Sequence, residues 1–254
     1  MTTEVANEWS YPRWVAHRGA GKLAPENTLA AFKLGASHGY TMFECDVKLS
    51  ADGVPFLLHD DTLERTTNGR GAVPDSTVAQ LARLDAGAWR DQTFAGEPVP
   101  DFDAAAALCL QLDLFCNVEI KPWAPGGETV ATRTGQLVAA ACARHWRQVP
   151  AKVLLSSFSA AALAAARARA PQVSRAYLCD DVAQNWRAEL ARLECVALHC
   201  NAGKLTADLA HAIKSEGFGL MCWTVNDTAL ADTLFGWGVD AICTDRLDLF
   251  AGKG

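Results

Sequence analysis

The sequence predicts a (β/α)8 barrel, the TIM barrel, on the basis of three features. Eight short runs rich in valine, isoleucine, leucine, phenylalanine and cysteine recur along the 254 residues. Alanine-rich stretches with helical spacing separate most of these runs, and strand–helix alternation implies parallel strands. Eight such units in about 250 residues match the size of a closed barrel. A doubly wound open sheet is the alternative, and it is disfavoured because no glycine-rich phosphate loop follows the first strand.

The individual elements follow from the apolar runs and their flanking residues. The eight strands are predicted at 14–19, 42–50, 115–121, 152–159, 174–180, 196–202, 219–226 and 240–245. The first helix should have Asn27 as its N-cap, an apolar face of Leu29, Phe32 and Ala36, and its end at Gly39. Later helices are predicted at 129–146, 161–170, 206–217 and 228–238.

One connection breaks this alternation, between the second and third strands. Residues 51–114 contain a hairpin, a glycine- and threonine-rich loop, a short helix at AQLARL and a long loop. We predict an insertion at the top of the barrel, with too few apolar residues for a core of its own. The whole chain, 1–254, is then a single barrel domain that carries a small insertion.

Composition limits the class of partner. The formal net charge is −6 and the isoelectric point about 5.5, which disfavours a nucleic-acid partner bound by general electrostatics. No apolar run is long enough to predict a membrane span. The first residues carry acids where a signal peptide would be basic.

Cysteine usage indicates the compartment. The nine cysteines lie mostly in apolar runs and form no CxxC pair. This pattern favours reduced thiols in the core of a cytoplasmic protein over zinc binding or disulfide bonds. The sequence leaves a homodimer open.

Carboxylates gather where a barrel places its active site, at the C-terminal ends of the strands. Glu44 and Asp46 lie two apart on the second strand and Glu119 and Lys121 two apart on the third, so each pair shares one face. Three carboxylates on neighbouring strands would repel one another when buried together. A divalent cation resolves this repulsion, and all-oxygen ligation favours Mg²⁺ or Ca²⁺ over zinc.

The segment after the second strand should return a histidine to these acids. If Asp52 and Gly53 form a two-residue hairpin turn, Ala51 opposes Val54 and His59 lies opposite Asp46. A longer turn would shift this pairing by about one residue. In either case His59 reaches the carboxylates.

The first strand should add the other half of the chemistry. It ends in His17 and Arg18, beside the second strand. Two histidines can provide a base and an acid near neutral pH, and Arg18 and Lys121 provide fixed positive charge. Together with a metal these groups suit a phosphate ester.

Four other polar or aromatic side chains lie near predicted strand ends. Trp223 is either core filler or an aromatic wall for a substrate, whereas His199 is interpreted as a structural residue. Asn226 is expected to close a turn and Asp245 to fix a loop.

These blocks resemble the glycerophosphodiester phosphodiesterase family over nearly the whole chain. HRG (17–19), APENTLAAF (24–32) and ECDVKLSADGVPFLLHDDTLERTTNGRG (44–71) resemble its opening and central motifs. LDAGAW (84–89) and FAGEPVPDF (94–102) resemble its insertion. Its later strand ends are matched by NVEIKP (117–122), SSFS (156–159), WTVN (223–226) and ICTD (242–245).

The resemblance implies a TIM barrel that hydrolyses glycerophosphodiesters, such as glycerophosphocholine or glycerophosphoethanolamine, to sn-glycerol 3-phosphate and an alcohol. It implies a divalent cation, Mg²⁺ or Ca²⁺, held by Glu44, Asp46 and Glu119. His17 and His59 would be the acid–base pair, and Arg18, Lys121 and Trp223 would contact phosphate or substrate. The insertion would cover the glycerol end, and a cyclic phosphate formed by the glycerol 2-hydroxyl is a plausible intermediate.

Two other hypotheses stay open at this point. The chain could be a related lysophospholipase D or phospholipase-type phosphodiesterase, although the secreted sphingomyelinase D type carries disulfides and lacks the insertion. It could also be a non-catalytic barrel that binds phosphodiesters. Such a barrel would be expected to have lost a metal acid or a histidine, and none of these residues is missing here.

Overall fold

The computed structural model describes residues 9–250, and it confirms the barrel. Eight parallel strands form the barrel, and the ninth, β3, is antiparallel to β2. The sheet closes because β1 pairs with both β2 and the last strand, β9. The strands are β1 (Trp14–Ala16), β2 (Met42–Leu49), β3 (Pro55–Leu57), β4 (Phe115–Ile120), β5 (Val153–Ser157), β6 (Ser174–Cys179), β7 (Ala197–Asn201), β8 (Gly219–Trp223) and β9 (Ala241–Thr244). The predicted domain range 1–254 includes residues 1–8 and 251–254, which lie outside the described residues.

Helices connect the strands. They are α1 (Leu29–Ser37), α2 (Val78–Leu81), α3 (Phe102–Gln111), α4 (Gly127–His145), α5 (Ala160–Arg169), α6 (Trp186–Leu193), α7 (Ala207–Ser215), α8 (Thr228–Gly236) and α9 (Leu247–Phe250). Several begin at a Ser, Thr or Asp whose side chain accepts from the backbone N–H three residues on, as Ser159 does from Ala162. The prediction that Asn27 caps α1 is wrong, because Thr28 accepts from the backbone of Ala31. Asn27 instead lies in the left-handed region (φ 58°).

The hairpin that follows β2 differs from the prediction by one residue. Val47 pairs with Leu57 and Leu49 with Pro55, so the loop has three residues instead of two. Gly53 (φ 78°) ends this loop in the left-handed conformation that a three-residue hairpin requires. His59 is therefore not opposite Asp46. His59 lies two residues beyond the end of β3, and its side chain lines the cavity at the C-terminal ends of the strands.

Part of the predicted insertion belongs to the helix layer of the barrel, and the rest is better packed than predicted. Near the end of the predicted insertion, ten residues form α3, which packs in the outer helix layer against α1 and α4. The remainder has an apolar cluster of its own, contrary to the prediction, made of Phe56, Leu58, Leu63, Val73, Leu81, Ala86 and Val99. Phe56 of β3, Leu81 of α2 and single apolar residues outside these short elements supply this cluster, which periodicity does not reveal.

The barrel interior is filled below the site. Trp9 and Tyr11 pack against the lower layers, and their ring centroids lie 5.0 Å apart in an edge-to-face arrangement.

All nine cysteines are buried and free of disulfide bonds. Across residues 9–250, no helix has the length and apolarity needed to cross a membrane.

Candidate active site

The C-terminal ends of the strands bring the predicted side chains to one cavity of about 190 Å³. The two histidines and both predicted cations lie in its wall. So do two of the three predicted metal acids, and the third, Asp46, contacts the wall through its ion pairs. The rest of its lining comes from Asn117, Leu178, Met221, Thr224 and Cys243, with Phe158 and Trp223 at its edge.

The three acids are close enough to share one cation. Each of Glu44, Asp46 and Glu119 offers a carboxylate oxygen within 4.8 Å of the others, and all three residues are buried. Burial and the neighbouring Asp46 charge raise the pKa of Glu44 to about 8. The same two causes raise the pKa of Glu119. Glu44 and Glu119 therefore lack enough nearby positive charge to stabilise both of their carboxylates in the ionised form.

Asp46 is the exception, because cations surround it. Burial would raise its pKa, but Lys121 (3.3 Å to Oδ1) and Arg18 (3.2 Å to Oδ2) hold that pKa well below its usual range. Asn27 donates from Nδ2 to Oδ2 over 2.9 Å and accepts from the Asp46 backbone N–H. This exchange explains why Asn27 adopts its left-handed conformation instead of capping α1.

The donor set fits a hard divalent cation. Oε1 of Glu44 is buried without a hydrogen-bond partner, although buried carboxylate oxygens are normally paired. Its Oε2 accepts from the backbone N–H of Arg18 over 3.0 Å. Carboxylate oxygens are the ligands that Mg²⁺ and Ca²⁺ prefer. Glu44, Asp46 and Glu119 could therefore hold a divalent metal, and the unpaired oxygen is where such an ion would be most stabilising.

His17 is fixed from the opposite end of the chain. Its Nδ1 lies 2.6 Å from Oδ1 of Asp245, which leaves Nε2 facing the cavity, 3.8 Å from Glu44. Asn226 donates to the other Asp245 oxygen over 3.1 Å. Burial opposes protonation of His17, but its hydrogen bond to Asp245 and the charge of Glu44 outweigh this effect and raise the histidine pKa.

Close packing of the first and last barrel loops makes this contact possible. Gly21 has a positive φ of 54°, and a Cβ at that position would lie 2.3 Å from the Asp245 Cα. The next residue, Lys22, donates its backbone N–H to the Asp245 carbonyl over 2.9 Å. A residue with a side chain at position 21 would separate the two loops.

His59 is held by a different acid, its sequence neighbour. Its Nδ1 lies 2.7 Å from Oδ1 of Asp60, and Arg65 donates to both Asp60 oxygens. Arg65 also binds both oxygens of Glu26, which in turn accepts from Arg18 over 2.8 Å. This chain of charged groups links the two sides of the cavity mouth. Burial lowers the pKa of His59.

Two predictions about aromatic and histidine side chains can be checked by position. Trp223 lies at the cavity edge, with its ring 5.6 Å from that of Phe158 in an edge-to-face arrangement. His199 is fully buried in β7 with both ring nitrogens unpartnered, and burial lowers its pKa to about 3. This matches the structural interpretation of His199.

Sequence reasoning missed the residues that orient the site. Asp245 and Asn226 hold His17 instead of only shaping loops, and Asp60, Glu26 and Arg65 were not singled out. Asp60 directly follows His59, so adjacency was a usable signal. The other contacts join distant parts of the chain, and no local pattern marks them.

Comparison with known proteins gives a consistent result. A model of the "Glycerophosphoryl diester phosphodiesterase family" matches residues 17–249. A glycerophosphodiester phosphodiesterase of Caldanaerobacter subterraneus subsp. tengcongensis is 34% identical over 236 residues, which cover 91% of this chain and 93% of that protein. Among solved structures, an Oleispira antarctica phosphodiesterase in complex with the product sn-glycerol-3-phosphate has a TM-score of 0.88 and 34% identity, covering 94% of this chain and 95% of that one. A glycerophosphodiester phosphodiesterase of Agrobacterium tumefaciens has a TM-score of 0.77 and 29% identity, covering 94% and 98%.

Proposed function

Since the chain belongs to the glycerophosphoryl diester phosphodiesterase family, we propose that it hydrolyses small glycerophosphodiesters in a metal-dependent reaction that uses His17 and His59 as acid and base. The family and the relatives support glycerophosphodiester phosphodiesterase activity for this chain. The proposed substrates include glycerophosphocholine and glycerophosphoethanolamine. The products are sn-glycerol 3-phosphate and the free alcohol.

One observation carries the proposal. The acids at 44 and 119, both histidines, Arg18 and Lys121 line a single cavity, and Asp46 contacts both cations of its wall. A phosphodiester carries one negative charge, which the two cations can bind. The histidines lie in the same cavity, so they can reach the attacking and leaving oxygens from different sides. A non-catalytic phosphodiester-binding barrel would not need this pair.

The proposed reaction breaks the P–O bond to the alcohol. Either water or the glycerol 2-hydroxyl attacks phosphorus, and one histidine takes the proton of the attacking oxygen. The other histidine gives a proton to the departing alcohol oxygen, and water opens the cyclic phosphate if the 2-hydroxyl attacked. A divalent cation held by Glu44, Asp46 and Glu119 would stabilise negative charge on the phosphoryl oxygens.

Each histidine has a partner that determines which ring nitrogen can exchange a proton with the substrate. Asp245 accepts from Nδ1 of His17, and Asp60 accepts from Nδ1 of His59. Both rings then present Nε2 as the nitrogen that exchanges a proton with the substrate. Asp245 and Asp60 also stabilise the protonated form of each ring.

We assign the glycerol end to a polar cavity of about 400 Å³ under the insertion. It shares His17 and Arg18 with the catalytic cavity, and Glu26, Arg65 and Trp89 also line it. Charged and polar side chains suit the two free hydroxyl groups of glycerol. The Oleispira antarctica relative is in complex with sn-glycerol-3-phosphate, which supports a product of this class but not its orientation here. The insertion then belongs to the same catalytic domain as the barrel.

The direct test is release of glycerol 3-phosphate from glycerophosphocholine with Mg²⁺, with Ca²⁺ and after exhaustive chelation. We expect activity with at least one metal and its loss on chelation. We expect His17→Ala and His59→Ala each to lower kcat by about 10²-fold or more. Full turnover after chelation would remove the metal role, and near-wild-type kcat in both variants would remove the histidines as acid and base.

We also propose a cytoplasmic location, which the buried cysteines support. Nine unpaired thiols are compatible with a reducing compartment. A homodimer remains a prediction, and light scattering of the purified protein checks it.

A further inference from the structure

A large apolar groove opens beside the catalytic cavity. It has a volume of about 570 Å³, within the range of small-molecule sites. Its apolar lining comes from the start of α4, the loop before it and the start of α5, and includes Pro122, Trp123, Ala131, Phe158 and Ala161. We call this surface the apolar groove.

The apolar groove is continuous with the reaction centre. Glu119, Lys121 and Phe158 line both the groove and the catalytic cavity. Phe158 is 45% exposed, which leaves its ring available to a ligand. A molecule held at Lys121 by its phosphate could therefore extend into the groove without leaving the protein surface.

Most polar groups of the apolar groove already have partners. Ser157 donates its hydroxyl to the carbonyl of Ile120 over 2.6 Å, and the Ser159 hydroxyl accepts from the backbone N–H of Ala162. Lys121 and Glu119 bind each other at the boundary with the catalytic cavity. Apart from Glu128 at the start of α4, the rest of the lining therefore offers a ligand mainly apolar contact.

The apolar groove and the polar cavity assigned to glycerol adjoin the catalytic cavity through different residues. The glycerol cavity shares His17 and Arg18 with the catalytic cavity, whereas the groove shares Glu119 and Lys121. The two have no lining residue in common. A phosphodiester has two ester substituents, and one of them needs polar partners for its hydroxyl groups. The other substituent is then directed to the apolar side.

We propose that the apolar groove binds an aliphatic chain carried by the leaving alcohol. The assignment rests on the proposed function, because it takes the glycerol end to lie under the insertion. The preferred substrates would then be glycerophosphodiesters whose alcohol has an apolar tail, and the groove would determine chain-length specificity. Hydrolysis itself is unchanged: water is added, the P–O bond to the tailed alcohol breaks and that alcohol oxygen takes the proton.

The test compares sn-glycero-3-phosphobutanol with sn-glycero-3-phosphooctanol, below micelle-forming concentrations. Both release sn-glycerol 3-phosphate and have chemically similar leaving groups, so the ratio of their kcat/KM values reports the chain alone. We expect the octyl ester to be preferred by about 10-fold or more, since each buried methylene contributes about 0.8 kcal/mol and 1.4 kcal/mol is tenfold. Ala161→Trp, which fills the groove, should reduce the octyl-to-butyl ratio by about 10-fold.

Two further variants make the result interpretable. Phe158→Ser alters an exposed side chain, so folding should be preserved, and it should also lower the octyl-to-butyl ratio. Ala168→Trp adds the same ring as Ala161→Trp to an exposed position of the same helix, α5, away from the groove. This control should leave the octyl-to-butyl ratio at its wild-type value.

Each outcome decides one question. Equal kcat/KM for the two esters, with glycerophosphocholine still hydrolysed, overturns the groove assignment alone. Failure to hydrolyse any glycerophosphodiester overturns the proposed function. The groove assignment is also wrong if 1-octanoyl-glycerophosphocholine gains over glycerophosphocholine and Ala161→Trp removes that gain. In that case the groove holds the glycerol side.

Discussion

Glu44→Gln should stabilise the metal-free protein while abolishing its hydrolytic activity. Glu44 is only 5% exposed, and one of its carboxylate oxygens has no hydrogen-bond partner. Burial and the charge of Asp46 raise its pKa to about 8, against 4.5 for an unperturbed glutamate. Between these values the folded, metal-free protein holds a proton that the unfolded chain releases. The free energy of unfolding therefore falls as pH rises through this window.

The magnitude follows from the two pKa values. Each pH unit between them changes the free energy of unfolding by 1.36 kcal/mol. Wild type should lose about 3 kcal/mol from this group between about pH 5.0 and about pH 7.5. Glutamine has nearly the same shape and does not titrate. The chelated variant should therefore equal wild type within about 1 kcal/mol at the lower pH and exceed it by about 4 kcal/mol at the higher.

Urea unfolding followed by tryptophan fluorescence measures this difference after exhaustive chelation. Adding Mg²⁺ or Ca²⁺ should stabilise wild type more than the variant, because the variant has lost one charged ligand. Metal binding by wild type at neutral pH should release a proton from Glu44. Glu216→Gln is the matched control, since Glu216 forms an exposed ion pair with Arg187 and should change stability by less than about 1 kcal/mol.

One result would refute this reasoning. A chelated Glu44→Gln protein less stable than wild type near pH 7.5, with an unchanged urea m-value, would mean that the Glu44 carboxylate is already compensated. The three acids would then need no cation, and the proposed metal site would lose its physical basis.

Three other predictions concern charged or titratable side chains in and around the barrel. Asp245→Asn removes the charge that orients His17, so kcat should fall at least about 10-fold. The urea midpoint of unfolding should change little. An unchanged kcat would show that His17 needs no such partner. Lys48 is 2% exposed, and its ammonium lies 2.5 Å from a carboxylate oxygen of Asp61. Asp61→Ala leaves this buried charge without its partner and should lower the free energy of unfolding by about 3 kcal/mol. Lys48→Met removes the buried charge itself and should leave that free energy nearly unchanged. Urea unfolding of both variants compares these costs, and a larger loss in Lys48→Met would contradict the argument. His199→Leu should flatten the acid side of the stability curve. Burial lowers the pKa of His199 to about 3, so wild type should lose about 3 kcal/mol from this group as pH falls from about 6.5 to about 4, and parallel curves would contradict that shift.

The sequence predicted the barrel and the acids because both depend on short-range patterns. Strand period alone places Glu44 beside Asp46 and Glu119 beside Lys121 on their respective faces. The hairpin register depends on turn length, which Asp52-Gly53 does not determine. A three-residue loop with Gly53 in the left-handed region fits these residues equally well, and it shifts the pairing by one.

The Asn27 error has a similar origin. Asparagine and threonine are both good N-caps, so neighbouring Asn27 and Thr28 compete for the start of α1. A contact nineteen residues away decides between them, because Asn27 exchanges two hydrogen bonds with Asp46. Local propensity contains no information about that contact. The same limit hid Asp245, which lies 228 residues from His17.

The two histidines depend on the fold in different ways. His59 and its acid, Asp60, are adjacent in the chain and arrive together on one hairpin. His17 depends on closure of the barrel, because Asp245 follows β9 and reaches His17 only when β9 pairs with β1 and Gly21 packs against the Asp245 backbone. A partly open barrel would therefore keep an oriented His59 and lose the orientation of His17. Acid–base catalysis that requires both histidines is consequently restricted to the closed barrel, although the half of the site that contains His59 and Asp60 could form without closure.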